Sequence, residues 1–170
     1  MKIHVRALFV LSSFLLAHTS AHATVVEEQF FKLDLPGEWV AEPQDDPGTY
    51  QYHAAKGEES VTVGLLFRNP DHPVPLEHDM KAVLKHRRDV EASLPKTPVA
   101  LTEPVVAEKR GALVASWFGN DAAHDRRTFT VVIVNGTVVG SFYYETFGLS
   151  SRAFEPRARE VLSHVGLISK

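Results

Sequence analysis

Apolar and polar residues alternate from Phe31 onward: Phe31, Leu33 and Leu35 fall on one face, Lys32 and Asp34 on the other. A period of two predicts a strand over 30–35 with one wet side. Pro36-Gly37 turns the chain, and Trp39 is expected to fold back over the core edge. The run EPQDDPG at 42–48 is all turn chemistry. Tyr50, Tyr52 and Ala54 then alternate against Gln51 and His53, and Val61, Val63, Leu65 and Phe67 form a second period-two face. With GEE between them at 57–59, stretches 49–55 and 60–68 read as a hairpin.

After the proline-rich bend NPDHPVP the period changes. Leu76, Met80, Val83, Val90 and Leu94 recur at helical spacing, with Leu84 beside Val83. This predicts an amphipathic helix of about 18 residues, ended by Pro95. Arg87 interrupts the stripe, and its long stem can still cover apolar surface. KTPVALTEP reads as a linker. Strands return at about 104–109, 112–118, 126–134 and 137–145, with GNDAAHD at 119–125 as the longest polar loop among them. Asn135-Gly136 sits between two valine-rich runs, and both residue types accept positive φ, which is a strong hairpin signal. Asn135-Gly136-Thr137 also spells a glycosylation acceptor, but the turn explains it better. The tail FEPRAREVLSHVGLIS predicts a short helix, with Pro156 in its first turn, Glu155 paired to Arg159, an end near Gly166, and a last short strand at Leu167-Ile168.

The order is three strands, a long helix, four strands and a short helix. Tight turns between neighbouring strands make the sheet antiparallel. Segregated helices covering it give an α+β class of about seven strands.

The first residues stand outside this pattern. MKIHVR carries Lys2 and Arg6 and no acid. An apolar run over 7–17 follows, and Ala21-His22-Ala23 then fits a signal peptidase. This is the layout of a secretory signal over 1–23, cleaved after Ala23, and its apolar run is shorter than the roughly 20 residues a membrane span needs. Residues 24–170 then form one domain, long enough to bury a real core. Losing Lys2 and Arg6 takes the formal charge from −3 to −5. A modest acidic excess argues against nucleic acid or anionic lipid as partner. The chain has no cysteine, which excludes thiol catalysis, cysteine metal sites and a lipid-bearing cysteine. No second apolar span follows the leader, so the expected product is soluble, periplasmic and held together by packing.

Candidate chemistry is sparse. Of nine histidines, His4, His18 and His22 lie in the leader. The others are His53, His72, His78, His86, His124 and His164. His78 and His86 are eight residues apart on the helix, roughly 12 Å at the α-helical rise, too far for one ion. Only His72, His78 and Asp79 form a weak metal candidate. A small metal-dependent hydrolase built on them requires all three close together and open to solvent. Glu77 and Asp79 otherwise read as first-turn acids that favour the helix dipole. No metal site and no cofactor is assigned. There is no Gly-x-Ser-x-Gly elbow, and Gly140-Ser141 reads as a close-packing point rather than a nucleophile.

Binding is the better expectation. Asp121, His124, Asp125, Arg126 and Arg127 cluster in the polar loop, and forked guanidinium groups suit carboxylates on a partner. Phe142, Tyr143, Tyr144 and Phe147 form an aromatic group in which Phe142 and Tyr144 share one face. That face is either an exposed patch for a partner or covered core. The candidate partner-binding set is therefore Asp121, His124, Arg126, Arg127, Phe142 and Tyr144. A further alternative, a small apolar-ligand site between helix and sheet, requires a sizeable apolar pocket.

The element order, FFKLDLPGEW, Tyr50 with Tyr52, and FEPRAREVLSHVGL together resemble the PsbP-like superfamily. Its bacterial members include DcrB-like periplasmic proteins and EagR-type chaperones of type VI secretion effectors. The family pattern has an apolar strand, a Leu-Pro-x-x-Trp corner, a tyrosine-bearing second strand, a mid-chain helix and a final helix with a Ser-x-x-apolar end. Here the corner is Leu35-Pro36-Gly37-Glu38-Trp39, and the end is Ser163-His164-Val165-Gly166-Leu167, one residue looser. The resemblance covers about 29–168 and implies a fold and a tendency to bind other proteins, with no enzyme activity and no functional residue to transfer. EagR-type chaperones usually lack an export signal, so the leader points to an exported accessory, chaperone or toxin-immunity role instead.

Overall fold

The computed structural model describes residues 23–69, 71–72, 74–93 and 99–168. Residues 1–22, where the sequence pattern predicts a leader, and Leu94 to Pro98 after the long helix lie outside the described residues. The elements run β1 (Thr24–Glu27), β2 (Phe31–Leu35), β3 (Trp39–Glu42), β4 (Thr49–Ala54), β5 (Glu59–Phe67), α1 (Leu76–Ser93), β6 (Val99–Leu101), β7 (Val105–Lys109), β8 (Ala112–Asp121), β9 (Arg126–Val134), β10 (Val138–Phe147), α2 (Ser151–Val161) and β11 (Gly166–Leu167).

Two antiparallel sheets result. The larger has the order β3-β4-β5-β10-β9-β8-β6, with β7 also paired to β8, and the smaller has the order β1-β2-β11. The seven anticipated strands are β2, β4, β5, β7, β8, β9 and β10. The others are short, and β6 occupies part of the expected linker, lying along β8 with Val99 opposite Asp121. Asn135-Gly136 does turn the β9–β10 hairpin: Asn135 Oδ1 accepts from the backbone of Thr137 and Val138 at 3.1 and 2.8 Å, and Gly136 takes φ 88°.

The main core lies between the larger sheet on one side and the smaller sheet with α2 on the other. Phe31, Leu33 and Leu35 of β2 are fully buried there with Val61, Val63, Phe142, Tyr144 and Phe154. Each such side chain contributes roughly 1.5–3 kcal/mol relative to exposure. At the corner, the Trp39 indole N–H donates to Pro36 O at 3.2 Å, and Thr24 Oγ1 donates to Gly37 O at 2.9 Å. Gly37 takes φ 99° there, which favours a residue without Cβ.

This layer corrects the aromatic-patch expectation. Phe142 and Tyr144 are both 0% exposed. They sit on β10, in the middle of the sheet, and the face they share is the one the smaller sheet and α2 cover. Neither is available to a partner in this fold.

The last helix also differs from its sequence pattern. Ser150 caps it, accepting from Ala153 N at 3.4 Å, and it ends at Val161. Pro156 therefore lies inside it and forgoes one backbone hydrogen bond, while Gly166 belongs to β11 rather than to a helix end. Glu155 and Arg159 do pair, at 2.8 Å.

Candidate functional site

Alternation along the central strands puts a second set of residues on the opposite face of the larger sheet, the one that meets α1. On β9 this set is Arg126, Thr128, Thr130, Val132 and Val134, and on β10 it is Val139, Ser141 and Tyr143. α1 covers only part of it. Leu76, Met80, Val83 and Leu84 pack on Leu113, Ala115, Val132, Val134 and Val139. Beyond that contact the helix and sheet stand apart, enclosing a cavity of about 550 Å³.

Its walls are mainly apolar: Leu66, Val83, Val90, Val99, Leu101, Trp117, Val132 and Val139. Gly119 allows β6 to close one wall, because a Cβ there would stand 3.0 Å from Leu101 Cδ2 and would also collide with Thr128 Oγ1. Charged groups line the cavity at three levels. At the end beside Leu66, Arg68 Nε and Nη2 hold both oxygens of Asp79, at 3.0 and 2.6 Å. In the middle, Arg87 donates to Glu91 at 3.2 Å and to Thr102 O at 2.6 Å, with its guanidinium 5.9 Å from the Trp117 ring centre. At the mouth Arg126 bridges Asp121 and Glu145, each at 3.4 Å, and His124 Nδ1 lies 2.9 Å from Asp121 Oδ2.

This three-layer arrangement, with α1 on one face of a large antiparallel sheet and the smaller sheet and α2 on the other, has a counterpart among solved structures. Cyanobacterial PsbP from Synechocystis sp. PCC 6803 superposes with a TM-score of 0.64 at 11% identity, covering 89% of this chain and 96% of that one. The fold is PsbP-like. A protein from Bacteroides thetaiotaomicron aligns over 82% of this chain and 46% of its own, at 11% identity and a TM-score of 0.45. No protein-family model and no curated protein matches the chain in sequence. At such identity the likeness gives the PsbP-like fold and transfers no residue.

The PsbP-like frame brings some of the predicted residues together and separates others. Asp121, His124 and Arg126 do gather, at the cavity mouth. Asp121 is only 6% exposed, so it braces the loop more than it meets a partner. Arg127 points elsewhere, donating to Leu149 O and to Asp125 at 3.2 Å, and ties β9 to the approach of α2. The metal-hydrolase reading fails its own condition. Asp79 is 1% exposed with both oxygens held by Arg68, whereas His72 and His78 are exposed. No group of three metal-ligating side chains forms among the described residues.

Sequence reasoning missed Arg68 and Trp117, and read Arg87 only as an interruption. A signal was present. Asp79 and Arg87 fall on the inward stripe of an amphipathic helix, and Thr128, Thr130 and Ser141 fall on one sheet face. Polar groups at buried positions mark either a paired structural contact or a lined site; here they do both.

The mouth and floor also carry shifted groups. The hydrogen bond with His124 is the largest cause holding the Asp121 carboxyl below the usual aspartate range, and Arg126 adds to it. Burial pushes Tyr143 up to about 12, helped by Glu145. At neutral pH Asp121 is thus a carboxylate and Tyr143 a neutral phenol, which fits a binding surface better than general-base chemistry.

Proposed function

We propose that this chain is an exported accessory protein of the bacterial periplasm that acts by binding another protein and performs no reaction of its own. The leader layout of 1–23 supports export, and the PsbP-like fold supports an accessory role. No helix among the described residues is long and apolar enough to cross a membrane.

One observation carries the protein-binding reading. β7 pairs only with β8 among the described residues, and all five of its residues are exposed. Val105 is 68% and Val106 45% exposed. Beside Val106 runs a shallow apolar groove lined by Met80, Leu84 and Leu113. A free edge that opens with two exposed valines before Ala107, Glu108 and Lys109 is a template for a partner's strand, with the groove as a pocket for its side chains. His124 and Arg126 supply a separate polar contact surface. The test is crosslinked affinity capture of the tagged protein from its own host, beside a V105K/V106K form. A single protein that survives high salt and is lost from the double variant supports the reading. Equal capture by both forms refutes β7, and no enrichment by either refutes the protein partner. A captured toxin would identify the immunity role.

The cavity favours a second reading, a small apolar ligand held between α1 and the sheet. Its volume of about 550 Å³ is that of a small-molecule site, and its apolar walls meet the condition this reading set.

A further inference from the structure

The exposed edge of β7 runs beside a charged face of α1. Register pairs Val106 with Ala115 and Glu108 with Leu113. Ala115 and Leu113 pack against α1, so Val106 and Glu108 stand on the α1 side of the sheet, and Val105, Ala107 and Lys109 on the other. Two contacts fix the direction of α1 along this edge. Arg87, towards the end of the helix, donates to Thr102 O at 2.6 Å, close to where β7 begins. At its start, Leu76 Cδ2 lies 3.6 Å from where a Cβ on Gly136 would stand, in the β9–β10 turn. Val134, just before that turn, is opposite Leu113, which is itself opposite Glu108. The first turn of α1 is therefore level with Glu108, and its Arg87–Arg88 turn is level with the start of β7.

The groove beside Val106 is apolar along Met80, Leu84 and Leu113, and α1 adds Glu77, Lys81 and Arg88 to it. These charges are ordered along the groove. Glu77 falls at the end that Glu108 occupies, with Lys81 one turn further on, and Arg88 falls at the end where β7 begins. One end thus carries two acids and one base, and the other carries an arginine. Glu77, Arg88 and Glu108 are exposed, and none forms an ion pair among the described residues. Glu77 and Arg88 are roughly 16 Å apart along the helix. Strand positions level with Glu108 and with Pro104 are roughly 13 Å apart. A single added strand can therefore meet both ends.

A strand laid on β7 sends every second side chain to the α1 side, beside the β7 residue it faces. Level with Glu108 and Glu77 a basic side chain fits, opposite Val106 an apolar one, and level with Pro104 and Arg88 an acidic one. Antiparallel pairing is the more stable per residue, and it joins every pair of strands in this sheet. We propose that β7 takes an antiparallel strand of another protein that reads basic–x–apolar–x–acidic from its N-terminal side, with the apolar residue in the groove. This rests on the protein-binding reading above and specifies the partner's strand. A second copy of β7, paired about Val106, supplies the valine and, with Glu108, the acid. It brings Pro104 to the third place, where a base is required and where proline offers no N–H.

The purified exported protein is titrated, by fluorescence anisotropy, with two labelled peptides of the same composition. One is Thr-Thr-Lys-Thr-Val-Thr-Glu-Thr-Thr with blocked ends, and the other has its Lys and Glu exchanged. The expected result is saturable binding of the first at about tenfold lower concentration, because the exchanged peptide sets like charges at both ends of the groove. Glu77→Lys/Arg88→Glu, at two exposed positions, should reverse the preference. V105K/V106K should abolish binding of both peptides while far-ultraviolet dichroism stays unchanged. Equal affinities, or tighter binding of the exchanged peptide, overturn the charge assignment and leave the β7 edge intact. A preference that survives Glu77→Lys/Arg88→Glu overturns it too. Failure of both peptides to bind overturns β7 as a strand template. A dimer in sedimentation that V105K/V106K returns to monomer overturns the separate partner in favour of a second copy.

Discussion

Arg157 of α2 and Glu59 of β5 stand 98 residues apart in sequence and meet through three hydrogen bonds, at 2.8, 3.1 and 3.3 Å. The same guanidinium reaches Pro36 O at 3.4 Å. One side chain thus fastens the last helix to the large sheet and to the first corner. Both partners are mostly buried, with side chains 28% and 16% exposed, and Glu59 is the main cause raising the basicity of Arg157. Arg157→Met keeps the apolar stem and strands Glu59. It should cost about 2 kcal/mol in urea denaturation, the range for hydrogen bonds to charged groups. Arg157→Lys should recover only part, because an ammonium cannot reproduce the fork. An unchanged denaturation midpoint in Arg157→Met would refute this clamp.

Asp79 presents a sharper case, because its side chain is 1% exposed and that of Arg68 28%. Removing one partner leaves an uncompensated charge, whereas removing both does not. Asp79→Leu should lose about 3 kcal/mol, and Arg68→Met a similar amount. The Asp79→Leu/Arg68→Met pair should lose less than the sum of its parts. Additive losses would show that the two side chains act independently. Zinc added to the wild-type protein should leave its melting temperature unchanged, since both Asp79 oxygens are already taken.

Long periodic stretches made most of this fold legible. The alternation from Val61 to Phe67, the stripe from Leu76 to Val90 and the Asn135-Gly136 turn each state their element locally. What stayed hidden depends on partners distant in sequence. β1 is four residues long and exists because it pairs with β2, whereas the short last strand anticipated at Leu167-Ile168 does form, as β11 at Gly166–Leu167, on the other edge of β2. β6 exists because Gly119 lets it approach β8. Three residues of the candidate set, Asp121, His124 and Arg126, could be grouped in advance because they share one loop. Arg68 and Trp117 could not, because only the crossing of α1 over the sheet brings them to one cavity. Phe142 and Tyr144 show the limit of alternation. It tells which residues share a face and not which face is covered.

Gly140 and Leu167 couple the end of the chain to the central strand. A Cβ at Gly140 would stand 2.7 Å from Leu167 Cδ2 and 3.2 Å from Phe142 Cε2. Gly140→Ala therefore overpacks the site and should cost about 1–2 kcal/mol. In the background of Leu167→Ala the same change should cost little. A double-mutant cycle should give a coupling of about 1 kcal/mol by denaturant midpoint. Zero coupling would mean that Leu167 does not occupy this position in solution.

Asp121 and His124 give the mouth a pH dependence whose sign follows from the lowered carboxyl. The folded form binds its proton less tightly than the unfolded chain, whose aspartates titrate near about 3.9. Its contribution to stability is therefore present above that value and is lost as pH falls through the lower folded value. Carbon-detected NMR should place the Asp121 midpoint below the ordinary range in the wild type. His124→Ala removes the largest cause of the shift and should move the midpoint upward. Equal midpoints would show that the hydrogen bond does not hold the carboxylate.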